Sequence, residues 1–243
     1  MFSTDKKILV TGTTSGLGKY IHRMLPNSIS LNRENKEQVI KDEYDLIIHC
    51  AFSNERGKDI NDYYEFIDGS ILLTNELVKV KHKKFIYISS LEIYNEPFTS
   101  YRFIKLCSEA IISKKAKSPL ILRVSALLGV DIRKTTVYRI LKENKPKLTL
   151  SEDSIFNYIL HSDLFEFIFE DFNRTGIVNF ISDGNITLGR VNEIFNGNTV
   201  WGNYKYTIKD AYLRAVKESV KIKTSEEVVK EFKKIMEDNK LWY

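Results

Sequence analysis

Short apolar runs alternate with stretches of helical periodicity through the first half of the chain. KKILVT at 6–11 is rich in branched residues, the pattern of a strand buried on both faces. Between Gly16 and Leu25 the apolar positions Leu17, Tyr20, Ile21, Met24 and Leu25 fall on one helix face. SISL at 28–31 predicts a brief second strand and NKEQVIKDE after it a helix. DLIIHCA at 45–51 predicts a third strand, and a long helical pattern runs from about Ile60 to Lys81. KFIYISS at 84–90, a helix over 99–116 and the strand PLILRVS at 119–125 continue the rhythm. Such alternation indicates βαβ units, hence a parallel sheet with right-handed crossovers.

After Gly129 the rhythm loosens. LHSDLFEFIFEDF at 160–172 predicts a helix in which Asp163 is the cap, and GIVNFIS at 176–182 a strand. TSEEVVKEFKKIMEDN at 224–239 predicts an amphipathic helix capped by Thr224 or Ser225. The expected division is residues 1–130 plus about 150–182 as one domain, with about 131–149 and 183–243 as a smaller lobe.

Composition narrows the classes. The chain has 243 residues, 43% hydrophobic and 12% aromatic, enough for a sizeable core and against global disorder. The four prolines form no linker. No run of 18 apolar residues and no secretory leader is visible, so a cytoplasmic protein without membrane contact is expected. Cys50 and Cys107 are then expected as core thiols. Net charge is +5, and the densest basic stretch, KVKHKK at 79–84, reads as a helix end where cations favour the dipole. It lacks interleaved aromatics, so no nucleic-acid partner is expected. His22, His49, His82 and His161 form no spaced set with the cysteines, which argues against a metal site.

The stretch LVTGTTSGLGKY joins the first strand to the first helix. Its glycines, Gly12, Gly16 and Gly18, suit a tight turn, a close phosphate approach and close helix packing, while the helix N-terminus offers partial positive charge. An ordinary strand–helix turn is the plainer alternative. Position near the N-terminus, after a strand and before a helix, favours dinucleotide binding, and with it a Rossmann-type doubly wound parallel sheet carrying a small, partly discontinuous C-terminal substrate lobe. The second strand ends in Asn32-Arg33 with no carboxylate at its tip. A guanidinium suits the 2′-phosphate of NADP, so NADP is favoured and NAD left open.

Further on, Ser90 stands where a strand ends, and Tyr101 and Lys105 lie four apart on one helix face. An ammonium beside a phenol stabilises the phenolate, which lets it exchange a proton near neutral pH. A Tyr-x-x-x-Lys pair alone is common; the combination with a glycine turn and a strand ending Ser-Ser is much rarer. His49 has a supporting place near the cofactor, and Trp201, Tyr204 and Tyr206 could be a stacking wall or core.

At these residues the chain resembles the extended branch of the short-chain dehydrogenase/reductase superfamily, the NAD-dependent epimerase/dehydratase family and dTDP-4-dehydrorhamnose reductases. DLIIHCA, YISSLEIY, SYRFIKLCSEA, LILRVSALLG, NYILHSDL and GIVNFISDGNITL are similar to its landmarks in their order. The resemblance implies Ser90, Tyr101 and Lys105 as the catalytic trio. It implies Gly12, Thr14, Ser15, Gly16, Leu17 and Gly18 at the cofactor phosphates, Asn32 and Arg33 at the adenosine end, Ala51 and Phe52 at the ribose, and Arg123, Val124 and Ser125 at the nicotinamide. It also implies a homodimer joined through the helices around 60–81 and 99–116.

Departures shape the functional expectation. The glycine spacing is that of the superfamily's shorter branch, and only residues 91–100 separate Ser90 from Tyr101. Leu91 replaces an aspartate that dehydratases use, although Glu92 keeps the next acid, so dehydration is disfavoured. The expectation is an NAD(P)-dependent reductase of a keto group on a nucleotide-linked deoxysugar. The alternatives are a nucleotide-sugar epimerase that keeps its cofactor and a non-catalytic NADP-sensing regulator.

Overall fold

The computed structural model describes residues 5–53, 60–216 and 219–238. The chain opens with β1 (Ile8–Thr11), buried at every position, and the glycine turn leads into α1 (Gly16–Met24). β2 (Ile29–Leu31), the short α2 (Lys36–Val39) and β3 (Glu43–His49) follow. The long helical pattern becomes α3 (Ile60–Ile67), a π turn at Asp68–Leu72 and α4 (Leu73–Leu77). Then come β4 (Lys81–Ser90), a 3₁₀ turn at Leu91–Tyr94, α5 (Ser100–Lys115) and β5 (Pro119–Val124). α5 is started by Thr99, whose hydroxyl accepts from the Arg102 amide at 3.2 Å.

The remainder is more broken: β6 (Ala126–Leu128), α6 (Thr136–Lys142), β7 (Ile155–Phe156), β8 (Tyr158–Leu160), α7 (His161–Glu170), β9 (Gly176–Asp183), β10 (Ile186–Thr187), α8 (Leu188–Phe195), α9 (Lys209–Ala215), β11 (Ser219–Thr224) and α10 (Ser225–Asp238). Seven strands form one parallel sheet in the order β2-β1-β3-β4-β5-β9-β11.

Register and pleat divide the apolar strands between two layers. Val10, Ile48, Ile86 and Leu120 are matched across four strands and face α1 and α7, where Leu17, Ile21, Leu164 and Ile168 meet them. Their alternates Leu9, Ile47, Phe85 and Ile121 pack on the other face against Leu77 and Ile112. A third cluster, with Leu128, Ile140, Leu160, Leu188, Val229 and Phe232, joins β6 and β8 to α6, α8 and α10.

Two local expectations are corrected, one strand is added and one cap is decided between its two candidates. Residues 79–84 are not a helix end, because β4 begins at Lys81. Val80, His82 and Lys84 alternate inward, whereas Lys81 pairs with Glu43 and Lys83 with Asp45 on the rim. Lys84 is buried with its Nζ donating to the Arg174 carbonyl at 2.5 Å, and burial lowers its pKa. Asp163 does not cap α7: it lies inside the first turn and binds Lys223 of β11 at 3.0 Å. β11 itself has no counterpart in the sequence reading. For α10, Thr224 is the cap, since its hydroxyl accepts from the Glu227 amide at 3.2 Å and Glu227 returns the bond to the Thr224 amide at 2.8 Å. Asn239, the last residue of that expected helix, and the outer ends of the two expected domains lie outside the described residues.

Candidate active site

The glycine turn is built around backbone that side chains would obstruct. Gly12 and Gly16 have φ of 74° and 60°, the left-handed region. A Cβ on Gly18 would stand 2.3 Å from the Gly12 carbonyl oxygen, so α1 sits on the turn as only glycine permits. Ser15 precedes the helix, yet its side chain makes no capping bond; its Oγ accepts from the Arg133 Nε at 3.0 Å. The Gly16 amide donates to the Asp131 carbonyl at 2.8 Å.

At the end of β3 the buried His49 is locked between two threonines. Thr11 Oγ1 accepts from the Ala51 amide at 3.0 Å, so its hydroxyl proton goes to His49 Nδ1 at 2.8 Å. Thr74 donates its own proton to the Ser70 carbonyl and therefore accepts from His49 Nε2–H at 2.9 Å. The imidazole is neutral, its pKa pushed down to about 3 by burial and then by the Lys105 charge. This network fixes the backbone of Ala51 against Gly12.

At the end of β4, Ser90 Oγ accepts from the Glu92 amide at 3.2 Å and starts the 3₁₀ turn. Lys105 reaches back from α5, donates to the Ile88 carbonyl at 2.8 Å and lies over the rings of Phe52, Tyr87 and Tyr101, with Nζ 4.8, 4.9 and 5.8 Å from their centroids. Burial lowers its pKa to about 8. The Phe52 and Tyr101 rings meet edge to face at 4.9 Å. Tyr206, from the segment before α9, donates its phenol to Glu92 and stacks on Phe156 at 4.5 Å. Burial and then the Glu92 carboxylate raise its pKa well above the usual value.

These groups surround a cavity of about 470 Å³ beyond the carboxyl ends of β1, β3, β4 and β5. Ser15, Gly16, Leu17 and Gly18 line one end; Ser90, Tyr101 and Lys105 line it with Phe52, Val124 and Ser125. The structure does not bring the other candidates to its wall. Gly12 lies behind it against Ala51, and Thr14, Asn32 and Arg33 are exposed. Asn32 shapes its own turn by accepting from the Glu34 and Asn35 amides. Arg123 points away, forking onto Glu109 at 2.6 Å and bonding the Tyr94 hydroxyl at 2.5 Å. Arg133, Phe156 and Tyr206 line the cavity with no local signature in the sequence beyond residue type. Tyr206 was legible only as an aromatic, and of its neighbours Trp201 packs in the third core while Tyr204 is exposed.

An open parallel sheet with a glycine turn after its first strand and polar groups at its carboxyl edge is the dinucleotide-binding α/β architecture. No protein-family model matches the sequence, and no curated protein matches it. Solved structures do match the fold. dTDP-4-dehydrorhamnose reductase from Bacillus anthracis str. Ames, in complex with NADP, superposes with a TM-score of 0.75 at 16% identity over 94% of this chain and 98% of its own. UDP-glucuronic acid 4-epimerase from Bacillus cereus, in complex with UDP-glucuronic acid and NAD, gives 0.67 at 15% over 96% and 99%. UDP-N-acetylglucosamine 4-epimerase from Bacillus cereus gives 0.68 at 20% over 95% and 96%. The chain therefore shares the fold of these reductase and epimerase structures along nearly its whole length.

Proposed function

We propose that the chain is an NAD(P)-dependent oxidoreductase that reduces a keto group of a nucleotide-linked deoxysugar. The observation that carries this reading is that Ser90, Tyr101, Lys105 and the glycine turn line one cavity. The residues at its glycine end fit a dinucleotide: bare backbone at Gly16 and Gly18, the Ser15 hydroxyl and the Arg133 guanidinium suit a pyrophosphate. Phe52 and Ala51 would hold the ribose beyond it and Val124 and Ser125 the nicotinamide, while Asn32 and Arg33, exposed after β2, would serve the adenosine end, where the guanidinium suits the 2′-phosphate of NADP. When bound, the nicotinamide supplies the hydride. Tyr101 gives its proton to the substrate oxygen, Ser90 hydrogen-bonds the same oxygen, and the Lys105 ammonium stabilises the phenolate left behind. Tyr206, from the smaller lobe (residues about 131–149 and 183–243 in this reading), would offer the sugar or base an aromatic wall together with Phe156 and Tyr158 of the larger domain.

Tyr101→Phe should reduce turnover to near zero while dissociation constants for NADPH stay close to wild type. Unchanged turnover across a panel of 4-keto nucleotide sugars would remove Tyr101 from this role. A 4-epimerase is the second reading, supported equally by the fold shared with UDP-sugar 4-epimerases. Mass spectrometry separates the two: oxidised dinucleotide retained through gentle purification, with no net consumption of added NADPH, identifies the epimerase.

A further inference from the structure

The segment between β6 and α6 crosses over the glycine turn. It leaves β6 at Gly129, where a Cβ would stand 2.2 Å from His161 Nδ1, and turns tightly, the Ile132 amide donating to the Gly129 carbonyl at 2.9 Å. Asp131 then fastens it to α1 in two ways. Its carbonyl takes the Gly16 amide, and its carboxylate, only 7% exposed, lies 3.2 Å from both Lys19 and Arg23. Two residues later Arg133 enters the cavity. Its Nε bonds Ser15 Oγ, and its side chain passes 3.4 Å from where a Cβ on Gly16 would be.

The electrostatics of this end follow. One helix amide that could serve an anion is given to the Asp131 carbonyl, and Lys19 and Arg23 are turned to the Asp131 carboxylate. Among the described residues lining the cavity, the lysine and arginine side chains are Lys105, which donates to the Ile88 carbonyl, and Arg133, which donates to Ser15 Oγ beside the glycine turn. A dinucleotide pyrophosphate carries two negative charges that need desolvated partners. Resting on the nucleotide-binding reading above, we propose that Arg133 is the cofactor's pyrophosphate clamp, delivered across the glycine turn by the Asp131 staple. The guanidinium binds phosphate oxygens in a fork and takes over countercharge that a bare helix N-terminus would otherwise supply. Asp131 is the positioning residue.

The test compares two arginines by titrating apoprotein with NADPH and with NADH. The pyrophosphate is common to both ligands and the 2′-phosphate is not. Arg133→Met should weaken both by the same factor, about 10- to 100-fold, with the unfolding temperature of the apoprotein unchanged and with Arg133→Lys partly restoring affinity. Arg33→Met should weaken NADPH alone. Asp131→Asn should weaken both ligands less than Arg133→Met does. Wild-type affinity in Arg133→Met, or a loss confined to NADPH, would overturn the clamp and leave the nucleotide site standing. Absence of binding by the wild-type protein would remove the nucleotide-binding reading and the clamp with it.

Discussion

Lys105 is the residue where burial and chemistry oppose each other most directly. Its ammonium lies under three aromatic rings with the Ile88 carbonyl as hydrogen-bond acceptor, and burial draws its pKa from 10.5 down to about 8. Between those two values the unfolded chain binds more protons than the folded one, so stability rises with pH through that window. The cost of the charge is complete below about pH 8. Lys105→Met should therefore lose turnover yet gain stability at pH 7, by up to about 3 kcal/mol before the lost Ile88 bond is counted, and the gain should shrink toward pH 10.5. Denaturant unfolding at pH 7 and pH 10 checks this. A variant less stable than wild type at both values would show that the ammonium is not held against its solvation preference. Arg123, expected at the nicotinamide, instead bonds Glu109 and Tyr94. Near the end of β5 the pleat decides its face: Leu122 and Val124 point to the α1 layer and Arg123 joins Ile121 on the α5 side, where Glu109 accepts it. A strand's face assignment needs its partners, which the local stretch does not contain.

Elements were legible in proportion to how local their cause is. The glycine turn announces itself because each glycine answers a short-range demand, and the pattern from Gly16 to Leu25 becomes α1 nearly as read. Gly18→Ala tests that demand: its Cβ would meet the Gly12 carbonyl at 2.3 Å, so α1 must lift off β1. The expected cost is about 2–4 kcal/mol with loss of dinucleotide binding, against about 1 kcal/mol for Gly176→Ala, whose positive φ is strained but whose surroundings are open. Equal unfolding midpoints for the two variants would contradict the close packing. The π turn at 68–72 was invisible, since one inserted residue per turn barely disturbs an apolar stripe; it brings Ser70 to the Ser53 amide at 3.3 Å. β4 was read as starting late because its first inward positions are His82 and Lys84, and β11 alternates valine and isoleucine with lysine at a sheet edge. In β4, burial is set by distant partners and not by hydrophobicity along the strand.

At the scale of the molecule, several exposed large apolar side chains among the described residues gather on neighbouring helices of one side of the sheet. Tyr63, Tyr64, Ile67 and Leu72 are exposed along α3 and the π turn, and Phe98 and Phe103 at the start of α5. The π turn and α4 both pack on α5, so these side chains belong to one side of the sheet. Exposed aromatics gathered on neighbouring helices would suit cover by a second subunit. A two-fold contact would bring α3 and α5 of each copy together and would stiffen α5, which carries Tyr101 and Lys105. Sedimentation should give a dimer for the wild-type chain and a monomer for Tyr64→Glu combined with Phe103→Glu. The monomer should bind NADPH with affinity near wild type, because neither residue lines the cavity. Its turnover should fall several-fold, since the helix holding the phenol would lose its outer support. A monomeric wild-type chain at tens of micromolar would show that this side of the sheet is left to solvent, and that α5 is positioned by the sheet and the π turn alone.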